Sequence, residues 1–213
     1  VCEFQFRKLV ELGIPESAIE TLHNFVTSEA VAPATASGEY FLYFGRLTAD
    51  KGLLTLLEAL ARRPSLRLVI AGRGPAGAAL EQRATDLRLA NVRFVGFHDD
   101  AALADLIRGS IATVLPAQAL ELCSMSILES FALGRAVVAT RVGGNPELVR
   151  DRLEGLLVAP GSADELGEAL ESLAANPSAA VEMGRNARRS AERRFDPERH
   201  FERLLAVYHR VIG

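Results

Sequence analysis

IATVLPAQALELCSMSILESFALGRAVVAT, Ile111 to Thr140, runs from one apolar segment through a polar loop and an amphipathic segment to a second apolar segment. Ile111–Leu115 and Ala136–Thr140 are continuous rather than alternating, the pattern of strands buried on both faces of a parallel sheet. Between them, Ile127 with Phe131 and Leu128 with Ala132 make i, i+4 pairs of a helix. That helix should start near Ser124 and stop at Gly134, a residue suited to the left-handed position that ends helices.

Further apolar runs occur at Tyr40–Phe44, Leu66–Ala71, Val92–Val95 and Leu156–Val158. Helical patterns separate them. Asp50 is placed to cap a helix carrying Leu53, Leu54, Leu56, Leu57 and Leu60, and Ser162 to cap one carrying Leu166, Leu170 and Leu173. This βαβα alternation predicts an α/β fold with a doubly wound, Rossmann-like parallel sheet. After Ala163 the pattern stays helical, with Pro177 and Pro197 near the starts of the last two helices. In the last of these, Phe201, Leu204, Leu205, Tyr208, Val211 and Ile212 form an apolar stripe that needs a partner surface. A short helix is expected over Glu3–Leu12, and the Ala/Thr/Ser-rich stretch Thr27–Gly38 reads as a linker. The chain is thereby divided into a leading segment, 1–37, a sheet domain, 38–195, and a terminal helix, 196–213.

At 213 residues, with 49 % hydrophobic and 24 % charged, the chain can bury a real core, which excludes disordered, collagenous and fibrous classes. No apolar run reaches the roughly 18 residues that span a bilayer. VCEFQFRKLV lacks the features of a secretory signal, and a valine start suggests a sequence that begins within a longer protein. Cys2 and Cys123 form neither a disulfide framework nor a metal pattern, so a cytoplasmic setting without structural zinc is expected. A net charge of −3, with only scattered arginines at Arg188–Arg194, argues against nucleic acid as partner. His23, His98, His200 and His209 show no ligand spacing and read as surface residues. No G-x-S-x-G elbow surrounds Cys123 or Ser124, so neither is expected to act as a nucleophile.

Ligands of doubly wound folds bind beyond the carboxyl ends of strands, and four such loops stand out. In GRLTADKG, Gly45–Gly52, Lys51 is placed at a helix start, where the dipole disfavours a cation. It is also one of only two lysines, with Lys8, among 24 basic residues. A bound phosphate held by Arg46 and Lys51 would account for this, as would two solvated surface cations. AGRGPAG contains Gly72-x-Gly74-x-x-Gly77, which fits a dinucleotide fingerprint or simply a tight turn near a ligand. Its acidic partner would have to be Asp99 or Asp100, late for that role. In the stretch quoted first, Glu121 and Glu129 should sit on the order of 10 Å apart with a helix N-terminus between them. That span suits a nucleoside diphosphate. In RVGGNPELV, Gly143 and Gly144 allow close backbone approach before Asn145 as N-cap and Pro146 at N1.

In order and spacing these loops resemble the C-terminal, donor-binding half of the retaining family 4, or group 1, glycosyltransferases of GT-B fold. The elements are GRLTADKG, GRGP, Glu121-x7-Glu129 and GGNPELV, followed by EGLLVAPGSADELGEAL. The resemblance implies a hexosyltransferase-type enzyme that moves a sugar from a nucleoside-diphosphate sugar to an acceptor hydroxyl, without metal or other cofactor. It implies that Arg46 and Lys51 bind the diphosphate, that Glu121 holds the transferred sugar and that Glu129 binds the ribose. It places Gly45, Gly72, Gly144 and the backbone of Cys123, Ser124, Met125 and Ser126 at the donor, with Phe97 near the base. The first 37 residues then become an interdomain segment and the last helix a crossover. A glycan or lipid-linked acceptor would be bound by an N-terminal domain outside these 213 residues. Polysaccharide synthesis in the cytoplasm, at the inner face of a membrane, is the corresponding expectation. The sequence departs from the family pattern where Leu122, Cys123 and Ser124 replace G-F-G after the first glutamate. It also has Phe25 and Thr27 in HNFVT where relatives read N-G-V-D. A non-catalytic nucleotide-sugar-binding or interaction module is the alternative reading, and a dinucleotide oxidoreductase the third.

Overall fold

A computed structural model describes residues 2–28 and 32–212. Val1, on which the expected start within a longer protein rests, Glu29 to Val31 of the expected linker, and Gly213 lie outside the described residues, as does the side chain of Asp100. Strands β1 (Tyr40–Phe44), β2 (Leu68–Ala71), β3 (Val92–Gly96), β4 (Ser110–Leu115), β5 (Ala136–Thr140) and β6 (Gly155–Val158) form one parallel sheet, ordered β3-β2-β1-β4-β5-β6. Strand order reverses between β1 and β4. A reversal of this kind opens a crevice at the carboxyl edge, because the flanking loops run to opposite faces.

Each strand supplies both faces of the sheet, because successive side chains point to opposite sides. Phe41 and Tyr43 of β1 enter one core with Leu56, Leu57 and Leu60 of helix α2 (Leu53–Ala61), Leu80 of α3 (Gly77–Asp86) and Leu166 and Leu170 of α7 (Ala163–Ala175). Leu42 and Phe44 face the other way, toward Ile107 of α4 (Asp100–Gly109). Beyond them, Ile127, Leu128 and Phe131 of α5 (Met125–Ala132) pack with Val137 of β5 and with Ala187 and Ala191 of α8 (Pro177–Arg194). Full burial of one large apolar side chain contributes roughly 1.5–3 kcal/mol, so two filled faces hold the sheet. Small residues let α8 approach closely: a Cβ on Gly184 would lie 2.2 Å from the Gly134 carbonyl oxygen.

Several sequence expectations shift. The strand expected from Leu66 begins at Leu68, because Leu66 N–H closes a turn onto Arg63 O at 3.1 Å. Asp50 does not cap α2; it sits in a 3-10 turn, Ala49–Lys51, and Gly52 at φ +70° is the N-cap. Lys51 therefore precedes the helix rather than starting it. Asn145 is likewise the first residue of α6 (Asn145–Leu148), not its cap, and its Nδ2 donates to Thr140 O at 3.0 Å. Ser162 caps α7 as expected, accepting from Glu165 N–H at 3.2 Å. The first helix, α1, covers Glu3–Glu11 with Leu12 as its C-cap. Along α9 (Pro197–Ile212), Phe201, Leu205, Tyr208, Val211 and Ile212 are exposed, so the stripe is left without cover from the described residues. Among the described residues no helix is long and apolar enough to cross a membrane.

Candidate donor site

The loop after β1 is fixed from beneath. Tyr43, fully buried, donates its hydroxyl to the Arg46 carbonyl at 2.7 Å. Burial, and then the carboxylates of Glu121 and Asp50, push its phenol well above the ordinary value, so it stays a donor. The loop after β2 lies directly on this one: a Cβ on Gly72, at φ +146°, would meet the Gly45 carbonyl oxygen at 1.9 Å. A Cβ on Gly74 would meet the Leu47 carbonyl oxygen at 2.3 Å. These two glycines are thus explained by loop-on-loop packing, which favours the tight-turn reading over the dinucleotide fingerprint.

Above the paired loops a cleft of about 310 Å³ opens at the switch point, lined by Gly45, Arg46, Gly72, Phe97 and Glu129 together with Arg73 and His98. The last two escaped the sequence reading. Arg73 lies in the glycine loop already singled out, with its guanidinium 5.7 Å from the Phe97 ring centroid. His98 follows β3 by two residues and is half-buried, not a free surface residue. His23 and His200 are half-buried too, which leaves only His209 as expected.

Lys51 and Glu121 form an ion pair beside this cleft, with side chains only 18 % and 16 % exposed. Backbone packing brings them together. A Cβ on Gly52 would lie 1.8 Å from the Pro116 carbonyl oxygen, and the Asp50 carbonyl accepts from Gln118 N–H at 2.8 Å. The β1 and β4 loops are thereby locked. Glu121 is held in turn by the fourth loop, since Gly144 N–H donates to its carbonyl at 2.6 Å, and a Cβ on Gly143 would meet that oxygen at 2.0 Å. Replacing Gly52 with alanine should therefore cost more than the roughly 1–2 kcal/mol of left-handed strain alone. A melting temperature within 1–2 °C of wild type would contradict this tight contact.

At the start of α5, Ser124 is the N-cap residue, yet its hydroxyl lies 3.0 Å from Ser126 Oγ and caps no amide. Met125 is exposed and receives Asn24 Nδ2 at 3.7 Å. Burial pushes the half-buried Cys123 thiol upward, which keeps it protonated and unreactive at neutral pH. Glu147 of GGNPELV takes a different part: its carboxylate caps α1, accepting Glu3 and Phe4 N–H at 2.7 Å each. Among the described residues no cluster of His, Cys, Asp and Glu is placed to hold a metal ion.

Comparison with known proteins gives the family. A family model described as "Glycosyl transferases group 1" matches residues 28–190. D-rhamnosyltransferase WbpZ of Pseudomonas aeruginosa is 33 % identical over 177 residues, covering 82 % of this chain and 44 % of the relative. The chain spans about half the length, or less, of the curated relatives it matches. Among solved structures, Anabaena Alr3699/HepE in complex with UDP superposes with a TM-score of 0.90 at 22 % identity, covering 98 % of this chain and 62 % of that one. The C-terminal domain of a group 1 family glycosyl transferase (LpcC) from Francisella tularensis, solved by itself, superposes at 0.70 with 23 % identity, over 81 % of this chain and 99 % of that one. Those likenesses establish the GT-B, Rossmann-like fold, and with the family match they lead to one conclusion: this chain belongs to the group 1 glycosyltransferases.

Proposed function

We propose that the chain is the donor-binding part of a retaining enzyme that moves a hexose-type sugar from a nucleoside-diphosphate sugar to an acceptor hydroxyl. The observation that carries this is the convergence of four loops at the switch point, with Arg46 and Glu129 in the cleft and the Lys51–Glu121 pair beside it. That HepE, whose fold superposes on this one, was solved in complex with UDP supports a nucleotide as ligand. In this reading Arg46 and Lys51 hold the diphosphate, and the amides at the start of α5 face its oxygens. Glu129 accepts from the ribose hydroxyls and Phe97 flanks the base. When the donor enters, Lys51 turns from Glu121 to phosphate, which frees the Glu121 carboxylate to accept sugar hydroxyls. As the glycosidic bond breaks, negative charge builds on the leaving diphosphate, and fixed cations stabilise it most in that state. The acceptor then attacks from the face the diphosphate leaves, with no metal or cofactor needed for charge neutralisation.

Within this reading residues 1–37 are the interdomain segment, 38–195 the donor domain and 196–213 a crossover helix. The acceptor, a glycan or a lipid-linked sugar, is bound by the part of such enzymes that this chain does not match, in the cytoplasm at the inner membrane face. Proximity of that acceptor to the anomeric carbon can be worth roughly 7–11 kcal/mol of barrier. The 213-residue chain should therefore bind a nucleoside diphosphate and transfer no sugar. Calorimetry with UDP, GDP, ADP and NADH tests the site. One diphosphate should bind best, and Arg46→Ala should weaken it by about 1.5–3 kcal/mol. Tightest binding of NADH would instead support an oxidoreductase, and binding of none a pure interaction module. Sugar transfer by this chain at a rate near that of a longer form would refute the division of labour.

A further inference from the structure

Where the extended segment at Leu22–Asn24 crosses the junction of α8 and α9, a second cavity of about 320 Å³ opens. It shares no lining residue with the donor cleft. Four arginines, Arg193, Arg194, Arg199 and Arg203, are among its lining residues, with one acidic residue, Asp196. That carboxylate is already engaged, its Oδ1 accepting Arg199 N–H at 2.9 Å as the cap of α9. Arg194 is engaged as well: it donates to the carbonyls of Leu148 and Glu147, lies 3.5 Å from Glu154 and stacks on Phe195 at 4.8 Å. The other three arginines make no ion pair among the described residues, although the chain as a whole is acidic, with a net charge of −3.

Arg193, Arg199 and Arg203 are exposed residues at this cavity, and an anion placed among them would be attracted by all three. The side chains are also held in position. Arg199 Nη1 donates to Arg193 O at 2.5 Å, Arg203 Nη2 to Thr21 O at 2.9 Å, and His200 Nδ1 lies 2.8 Å from His23 O. The Arg199 and Arg203 bonds each use one of the five N–H groups of a guanidinium, so these two forks are oriented with donors to spare, while the Arg193 guanidinium is left with all of its donors. Guanidinium forks match the oxygens of phosphate better than a point charge does, and the N-terminal turn of α9, which bears Arg199, adds the positive end of its dipole. The volume, room for roughly ten waters, exceeds a single small ion and fits a phosphate carrying an organic group.

We infer that this cavity is a second anion site, separate from the donor cleft, that takes a terminal phosphate or pyrophosphate group. Asn24 lines the cavity and also reaches Met125 at the start of α5, so a ligand here would brace the segment that touches the donor helix.

The test titrates inorganic pyrophosphate by calorimetry into the chain carrying Arg46→Ala and Lys51→Ala, so that the donor cleft no longer competes. Saturable one-site binding should persist, and adding either Arg199→Ala or Arg193→Ala should weaken it at least tenfold. Arg193 makes no side-chain hydrogen bond among the described residues, so its replacement keeps the test decisive if Arg199→Ala melts early. No binding to the donor-disabled chain, or binding unchanged by both replacements, overturns the proposal. Failure of the UDP titration leaves this result standing, because the two cavities are disabled by different substitutions. Flotation with phosphatidylcholine vesicles containing phosphatidic acid identifies the source. Flotation abolished by pyrophosphate and by Arg193→Ala assigns the phosphate to a lipid headgroup; soluble binding without flotation assigns it to a free phosphorylated ligand.

Discussion

Replacing Lys51 with alanine should weaken nucleoside-diphosphate binding by about 2–5 kcal/mol, the range for truncating one partner of a buried, hydrogen-bonded charge pair. Two losses combine. The diphosphate loses a charge-assisted hydrogen bond, and Glu121, 16 % exposed, is left as an unpaired anion beside the position the diphosphate would take. The second loss distinguishes Lys51 from Arg46, which makes no ion pair among the described residues. It also means that Lys51→Ala lowers stability, whereas a solvated binding lysine would leave it unchanged. The check is a double-mutant cycle with Glu121→Gln, read by calorimetry with the best-binding diphosphate and by thermal melting. Lys51→Ala/Glu121→Gln should recover part of the affinity and of the stability lost in Lys51→Ala. Additive effects in both readouts would show that the pair is not coupled and would remove the proposed exchange of Lys51 from carboxylate to phosphate.

The largest effect on folding is expected at Glu154, whose side chain is 0 % exposed. Its carboxylate accepts Arg150 N–H and Arg150 Nε at 2.8 Å each, bonds Arg150 Nη2 and Ser190 Oγ, and lies 3.5 Å from Arg194. The turn before β6 is thus tied to α8. The bond to Glu154 raises the Arg150 pKa further above its already high value, so the guanidinium stays charged throughout the physiological range. Glu154→Ala removes the acceptor shared by all these donors, leaving Ser190 only the bond it accepts from Arg150 Nη2 at 3.0 Å and Arg194 only its bonds to the Leu148 and Glu147 carbonyls. Hydrogen bonds to a charged acceptor contribute about 1.5–3 kcal/mol, and Arg150, 54 % exposed, regains water when the carboxylate is gone, so the net cost should be about 2–3 kcal/mol, or roughly 5–10 °C in melting temperature for a chain of this size. Glu154→Gln keeps the shape and some of the hydrogen bonds, so it should fall between. A loss below about 1 kcal/mol in Glu154→Ala would show that the network adds little beyond what water provides.

Glu154 also marks where sequence reading stops. In the sequence it is one acidic residue in DRLEG, and no period distinguishes it from a solvated surface glutamate. Its burial depends on α8 arriving from some forty residues later to supply Ser190 and Arg194. Lys51 shows the intermediate case. Its oddity was legible, as a lone lysine in a glycine-bounded loop, and a ligand was the natural inference. Its partner was not, because Glu121 is seventy positions away and reaches Lys51 only through the contact of the β1 and β4 loops. Tyr43, read as one more apolar strand residue, proved to be the support of the Arg46 carbonyl, since a hydroxyl inside a strand gives no sign of the loop that it will meet. The arginines around the α8–α9 junction read as scattered charges for the same reason: helix ends and a distant extended segment gather them into one cavity.

By itself the sequence determined the alternation of strands and helices, the parallel sheet and the loops that meet at its carboxyl edge. Those follow from local periodicity, from turn and cap residues and from the rule that ligands bind past the carboxyl ends of strands, all of which act over a few residues. Only the tertiary structure decided the strand order β3-β2-β1-β4-β5-β6, the pairing of Lys51 with Glu121 and the burial of Glu154. These depend on contacts between segments tens of residues apart, whose approach is set by which backbones can touch, at Gly52 against Pro116 and at Gly143 against Glu121, and no local pattern encodes that distance.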